Sequence, residues 1–570
     1  MFTRWANHIN SRCIMRRCNP KKSKAMLKFL SVISKLEVWV WACICATLMA
    51  VRFYPGFVPN LSSDAFQYLS VAQNALAGDF GYTSLIHWDA ERSLGVIPAP
   101  MVHFPLGYPF AIALVSLVGV PLQSAALLVS AMSTLACVPL LVWTATQLGL
   151  RRLLRNVVVA GFVFNAFTVY FGASALSEAL FTFVVLLGVA LLVAARLHAD
   201  TSRGWRWAAA GLAFGAAYWV RYAGLFFVLG LAVLVIRHLV ASNRLQAKGY
   251  AVAVTVAGAV VFAGMARNIL LVGNWQGAIE KIVSNPLWSP LVETVRAGKI
   301  LVLGPSFDTP GWTSIPRGLF IAFFFAGMAW LTWRHLRHGA AQAHPRPALK
   351  GIGVDLVILM LAYTGCMFYA GLTTVISYRA RMFVPLTPLL MLLLGLALRT
   401  LLTTPAQRSI SPRLALLALG ASFCCYVVVN FVLVVRPPSD YAPSSVAKLM
   451  DSTSIDGKTV RAAVLELVGP ERVVVANHGQ AIGHVLQRPT VSLVEPHYSA
   501  VEWNEKAIHD VVYQYNAAAI VICVNNDFMP SPFVRQLAQG EAPSWMKLVY
   551  RSSEFLVYEP LSRRAKSKES

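Results

Sequence analysis

The stretch from 157 to 197, VVVAGFVFNAFTVYFGASALSEALFTFVVLLGVALLVAARL, carries Glu178 as its single charge before Arg196. A helix must offer about 20 apolar residues to cross the hydrocarbon core of a bilayer. This stretch reads as two such runs, 157–175 and 178–196, with Ser177-Glu178 at the junction between them. Outward from it, further runs lie at 37–53, 123–148, 207–219, 222–237, 250–272, 318–334, 353–375, 381–399 and 412–435. The pair at 207–219 and 222–237 is one long run broken by Arg221. The expected fold is therefore an α-helical polytopic membrane protein with about eleven transmembrane helices.

Composition agrees. The 570 residues are 57% hydrophobic and 13% charged, with mean hydropathy +0.60, whereas soluble proteins carry about 25% charge. An ordinary cytosolic enzyme, a disordered protein and a secreted disulfide scaffold are excluded. The net charge of +24 would suggest nucleic acid in a soluble protein. Here most basic residues sit in short loops between apolar runs, so no nucleic-acid partner is expected. The nine cysteines are scattered, and Cys13-x4-Cys18 has too few His or Cys near it to complete a zinc site.

Charge also orients the chain. Residues 1–36 form a basic tail too long for a signal peptide, so the first run is an uncleaved anchor with a cytoplasmic N-terminus. Alternation then places the loops near 149–156, 197–206, 238–249, 335–352 and 400–411 inside. They hold Arg151, Arg152, Arg155, Arg203, Arg206, Arg244, Lys248, Arg337, Arg346, Lys350 and Arg408 against Asp200 alone. Residues 37–435 are expected to form the membrane domain, with outer loops 54–122 and 273–316. Within the first loop, His103–Val120 is apolar but too short to span, and reads as an interfacial or re-entrant helix. Residues 440–562 read as an extracytoplasmic α/β domain, with strands at Arg472–Ala476, Val491–Val494, Ala519–Val524, Lys547–Tyr550 and Phe555–Tyr558. A basic tail, 563–570, follows.

The polar residues worth chemistry gather at the outer ends of these runs. A helix is expected from Ala65 to Ala77, stopped by Gly78. Asp64 before it has two readings: an N-cap with Gln67 completing a capping box, or a carboxylate acting as general base on an acceptor hydroxyl or amine. Tyr68 lies one turn along the same face. Arg221-Tyr222 and Ser377-Tyr378-Arg379-Ala380-Arg381 put guanidinium groups at the outer boundary. Arginine there is either a snorkelling anchor or a fork for phosphate. His87, Asp89, Glu91 and His103 match no closed metal pattern, and His478 sits on a strand-to-helix turn. No phosphate-binding glycine loop and no nucleophile elbow is present. No cofactor is assigned, and a divalent metal has no support in the spacing.

Five motifs occur in a fixed order: Asp64-x3-Tyr68; Phe104-Pro105-Leu106-Gly107-Tyr108-Pro109; Ser177-Glu178-Ala-Leu-Phe181; Gly215-x5-Arg221-Tyr222; and Arg381-Met-Phe-Val-Pro385-Leu-x-Pro388. Over about 40–435 the chain resembles the membrane-embedded C-type glycosyltransferases, the superfamily of protein O-mannosyltransferases and lipid A aminoarabinose transferases. The resemblance implies an inverting transfer of a sugar from a polyprenyl-phosphate donor to a lipid, glycan or protein acceptor at the outer face of a bacterial inner membrane. It implies Asp64 as the base. It implies Arg221, Arg379 and Arg381 on the lipid phosphate, with Tyr68, His103, Tyr108, Glu178 and Tyr222 lining the cavity. The alternative is a transporter or flippase of lipid-linked glycans. Such proteins more often show internal repeats and ionisable groups at mid-membrane, which this sequence does not.

Overall fold

The computed structural model describes residues 36–51, 61–87, 95–197, 204–277, 285–303, 351–373, 380–403, 412–435, 455–493, 502–524, 529 and 531–561. The expected span at 318–334 and the site residue Arg379 lie outside them, as do Asp89 and Glu91.

Among the described residues, five helices are long and apolar enough to cross a membrane: Leu122–Gln147, Glu178–Leu197, Arg244–Val272, Ile352–Thr373 and Ala380–Thr400. The apolar helices Leu36–Val51 and Gly224–Val240 are shorter. Where one continuous span was expected over 157–175, two helices stand at 58° to each other, Arg152–Val163 and Ala166–Gly172. A break inside hydrocarbon leaves backbone groups without water. Asn165 satisfies them locally, its side chain accepting from Phe167 and Thr168 N–H at 3.1 Å each. Asn430 Oδ1 accepts from the Ala166 N–H at 2.9 Å, and the Tyr426 hydroxyl donates to Gly161 O at 2.7 Å.

The run broken by Arg221 forms two helices, Trp205–Val220 and Gly224–Val240, with Arg221 itself extended at φ −149° and ψ 134°. Two glycines let this turn close. A Cβ on Gly224 would lie 2.3 Å from Tyr218 N, and one on Gly107 would lie 2.6 Å from Trp219 O. The end of the first loop therefore packs directly on the turn that carries Arg221. That loop end forms a helix, Gly107–Ser116, only about 15 Å long at 1.5 Å per residue, too short to cross.

The C-terminal region carries a six-stranded sheet. With the short antiparallel pair β1 (Tyr82–Thr83) and β3 (Ala99–Pro100) standing apart in the first loop, its strands are β2 (Leu85–His87), β4 (Val474–Ala476), β5 (Thr490–Ser492), β6 (Ala519–Cys523), β7 (Met546–Arg551) and β8 (Phe555–Pro560), in the order β2-β5-β4-β6-β8-β7. The pairs β2–β5, β4–β5 and β4–β6 are parallel, and the β6–β8 and β7–β8 pairs are antiparallel. Alternation along the strands buries both faces, as parallel pairing requires. Val475, Ile520 and Ile522 pack with Ile508 and Val511 of the helix Glu505–Gln514. Val474, Val521 and Val557 face the opposite core with Val460, Val464 and Ile482. The strand β2 comes from the first outer loop, whereas every expected strand lay within 440–562. Leu85, Ile86 and His87 pair with Thr490, Val491 and Ser492, so the loop closes one edge of the distant sheet.

Candidate active site

Glu178 opens the helix Glu178–Leu197 and Asp64 lies in the first turn of the helix Ser63–Ala77. Both carboxylates thus sit where a helix dipole favours negative charge. The capping reading of Asp64 does not hold: the N-cap position is Ser62, and no side chain caps that end. Asp64 instead accepts from Arg381 NH1 at 2.9 Å. Arg381 lies on the 3-10 turn Ala380–Leu386, whose Met382 carbonyl is held by the Tyr363 hydroxyl at 2.6 Å.

Glu178 is 1% exposed and lies 2.8 Å from Arg221 NH1 and 3.9 Å from Arg381 Nε. Two acids and two arginines from four separate segments therefore form one cluster. Their charges cancel. Yet neither Glu178 oxygen makes a well-formed hydrogen bond, and Arg381 Nε has none. Buried charges normally fill their hydrogen bonds, so this cluster is held together by charge with bonding capacity left over. Side chains of Asp64, Arg221 and Arg381 keep 15, 19 and 27% of their surface.

Burial raises the Asp64 carboxyl, but the Arg381 and Arg221 guanidinium groups and His103 outweigh it and hold Asp64 below its ordinary value of 3.8. Burial, with Asp64 and Glu178 nearby, pushes the Tyr68 phenol up. Tyr68 and Arg221 share Ser177: the Tyr68 hydroxyl lies 3.1 Å from Ser177 Oγ, and Arg221 NH1 donates to the same oxygen at 3.0 Å.

The remaining expected residues divide in two. His103 lies within electrostatic range of Asp64 and stacks on His87, with centroids 5.2 Å apart. Tyr108 and Tyr222 act one layer out. The Tyr108 ring packs edge-on against Tyr68, while its hydroxyl is taken up by Ala126 O at 3.0 Å and Ser130 Oγ at 2.8 Å. The Tyr222 hydroxyl donates to Val102 O at 2.9 Å and accepts from Asn268 at 3.1 Å. Sequence reading passed over Arg267, which ties the loop down through Met101 O and Gly81 O at 3.0 and 3.1 Å. Its cue was an arginine near the end of an apolar run, the same cue that exposed Arg221. No group of three or more His, Cys, Asp or Glu side chains among the described residues is placed to hold a metal ion.

Comparison with known proteins bears on this arrangement. Residues 115–273 match the family model described as dolichyl-phosphate-mannose-protein mannosyltransferase. No curated protein matches the sequence. Among solved structures, ArnT from Cupriavidus metallidurans in its apo state is 16% identical with a TM-score of 0.54, over 92% of this chain and 98% of that one. ArnT bound to undecaprenyl phosphate is 14% identical at 0.55, with the same coverage. The Archaeoglobus fulgidus oligosaccharyltransferase is 12% identical at 0.54, over 86% of this chain and 69% of its own. The chain thus shares the fold of these membrane-embedded enzymes, and residues 115–273 within it match the mannosyltransferase family model.

Proposed function

We propose that the chain transfers a sugar from a polyprenyl-phosphate donor to an acceptor at the membrane face carrying Asp64, Glu178, Arg221 and Arg381. The carrying observation is the convergence of those four side chains at one end of the helical bundle, with hydrogen-bonding capacity unused. Undecaprenyl phosphate is bound in the ArnT complex and a dolichol phosphate in the A. fulgidus enzyme, which supports a lipid-phosphate donor here. The acceptor oxygen or nitrogen attacks the anomeric carbon, the bond to the phosphate oxygen breaks with inversion, and the acceptor's proton passes to Asp64. Polyprenyl phosphate leaves. Its growing charge is stabilised by Arg221 and Arg381, donors placed where charge develops, and Arg379, outside the described residues, is proposed to join them from its place two residues before Arg381.

The Arg381–Asp64 pair gives this chemistry an order. Ionised but held by a guanidinium, Asp64 is a poor base in the resting protein. A donor phosphate competes with it for Arg381, and each loosening of that pair returns basicity to Asp64. The carboxylate becomes effective once the donor is seated. The membrane in question is the bacterial inner membrane, with the N-terminus cytoplasmic and the 440–562 domain on the far side, following the bias of arginine and lysine across the loops. The test is release of polyprenyl phosphate by the purified full chain in nanodiscs. Asp64→Asn should lower the rate by about 10²–10⁴-fold, as loss of a general base does. Wild-type turnover by folded Asp64→Asn would end this reading.

A further inference from the structure

The strand that the first loop adds to the C-terminal sheet ends at His87. That ring is half-buried and stacks at 12° on His103, within electrostatic range of Asp64. Its Nδ1 lies 2.7 Å from Nε2 of Gln480, a residue 8% exposed on the helix Gly479–Leu486 of the C-terminal domain. The Gln480 amide turns its oxygen toward the sheet behind it. Ser492 Oγ accepts from the Gly479 N–H at 3.2 Å and donates to Gln480 Oε1 at 3.1 Å. With Oε1 turned to the Ser492 hydroxyl, the amide nitrogen is the atom that meets His87.

An amide nitrogen only donates, so Nδ1 must accept, and the ring hydrogen resides on Nε2. A second proton would set N–H against N–H. The ring is accordingly neutral: burial and the neighbouring His103 outweigh Asp64 and bring His87 down to about 3.

We propose that Gln480 is a positioning residue through which the C-terminal domain holds His87 as a neutral Nε2–H donor beside Asp64, to bind an uncharged oxygen of the acceptor next to the attacking group. This rests on the transfer reading above and deepens it. A neutral donor has no Coulombic pull on the donor phosphate, which the arginines take, and it suits a polyhydroxylated acceptor such as a glycan or glycolipid. The domain and the membrane cluster then read two different substrates.

Two measurements on the full chain in nanodiscs test this. In the first, histidine ring nitrogens are labelled with 15N and His87 is assigned by the signal lost in His87→Asn. Wild type should show the neutral Nε2–H tautomer from pH 8 to 5. Gln480→Glu, which puts an acceptor at Nδ1, should move the hydrogen there and bring a titration into that range. An Nδ1–H tautomer in wild type, or a wild-type titration near the free value of about 6.5, would overturn the proposal, as would an unchanged tautomer in Gln480→Glu.

In the second, the polyprenyl-phosphate lipid fraction and the glycolipid fraction of a bacterial envelope extract are varied separately, and released polyprenyl phosphate is counted. Gln480→Ala and Gln480→Glu should raise the half-saturating acceptor concentration roughly tenfold, the value of one buried hydrogen bond. Half-saturation by donor should not move. A shift in donor half-saturation, or in neither, removes the acceptor role. If Asp64→Asn matches wild type, the transfer reading falls and takes the acceptor role with it, whereas the 15N result stands or falls separately.

Discussion

The helix Glu178–Leu197 carries a charge cluster at each end, roughly 27 Å apart at 1.5 Å per residue, and the two are built on opposite rules. At one end Glu178 meets two arginines yet leaves both oxygens without a well-formed hydrogen bond. At the other, Asp355 is 1% exposed and saturated: Arg196 and Arg237 each donate to it, the Tyr250 hydroxyl donates at 2.7 Å, and His238 Nε2 lies 3.4 Å away. A filled carboxylate ties four helices together and has nothing left to offer a ligand. An underfilled one, beside exposed guanidinium edges, has capacity that a substrate can use. Satisfaction, rather than burial or charge, separates the brace from the site.

The sharpest way to break that contrast is to remove one acid from each end. Asp355→Ala strands the buried Arg196 and leaves the partly exposed Arg237 without its carboxylate, which should cost about 3–5 kcal/mol of stability, read as a large fall in melting temperature, while molecules that remain folded keep their turnover. Asp64→Asn should do the reverse, with melting little changed and turnover lost. Equal losses of stability at the two ends would erase the distinction.

Next in size is Arg381→Ala. Losing a charged hydrogen bond is worth about 1.5–3 kcal/mol, so donor affinity measured by undecaprenyl phosphate binding should fall roughly ten- to a hundredfold. The same variant moves a pH limb. Asp64 is held below 3.8 by Arg381 and Arg221, so the stabilisation from this pair is present above that value and is lost as pH falls through the lower folded value. Without Arg381 the acid limb of activity should move to higher pH. A limb that stays in place would separate Arg381 from Asp64.

The smallest expected effect lies in neither cluster. Asn165→Ala removes the cap at the broken helix, which should cost about 1 kcal/mol as a modest drop in melting temperature, with turnover per folded molecule intact. Loss of turnover at constant stability would bring that break into the site.

The same contrast explains what could be read from sequence. Asp64, Glu178, Arg221 and Arg381 stand out because charge at the end of an apolar run is costly. The helices follow from run length. What stayed hidden depends on partners far along the chain. Tyr108 looks like a cavity residue until Ser130 and Ala126 take its hydroxyl. Asp64 has the spacing of a cap, but Arg381, 317 positions away, competes for the carboxylate. The break at Asn165 depends on Asn430 and Tyr426 from another helix. A three-residue strand such as β2 has too few positions to show a period, and so Gln480 had no local signal linking it to His87.

The parallel pairing of β2 with β5 also sets a timetable for biogenesis. Leu85 is made early and its partner Thr490 some 400 residues later. At about 5–20 residues per second, the ribosome needs roughly 20–80 s to cover that interval. During that time the membrane helices can insert and pack while the first loop lacks its sheet partner. The C-terminal sheet then captures the loop and holds His87 through Gln480. The sheet edge that carries His87 would then be complete only after Ser492 has been translated, late in synthesis.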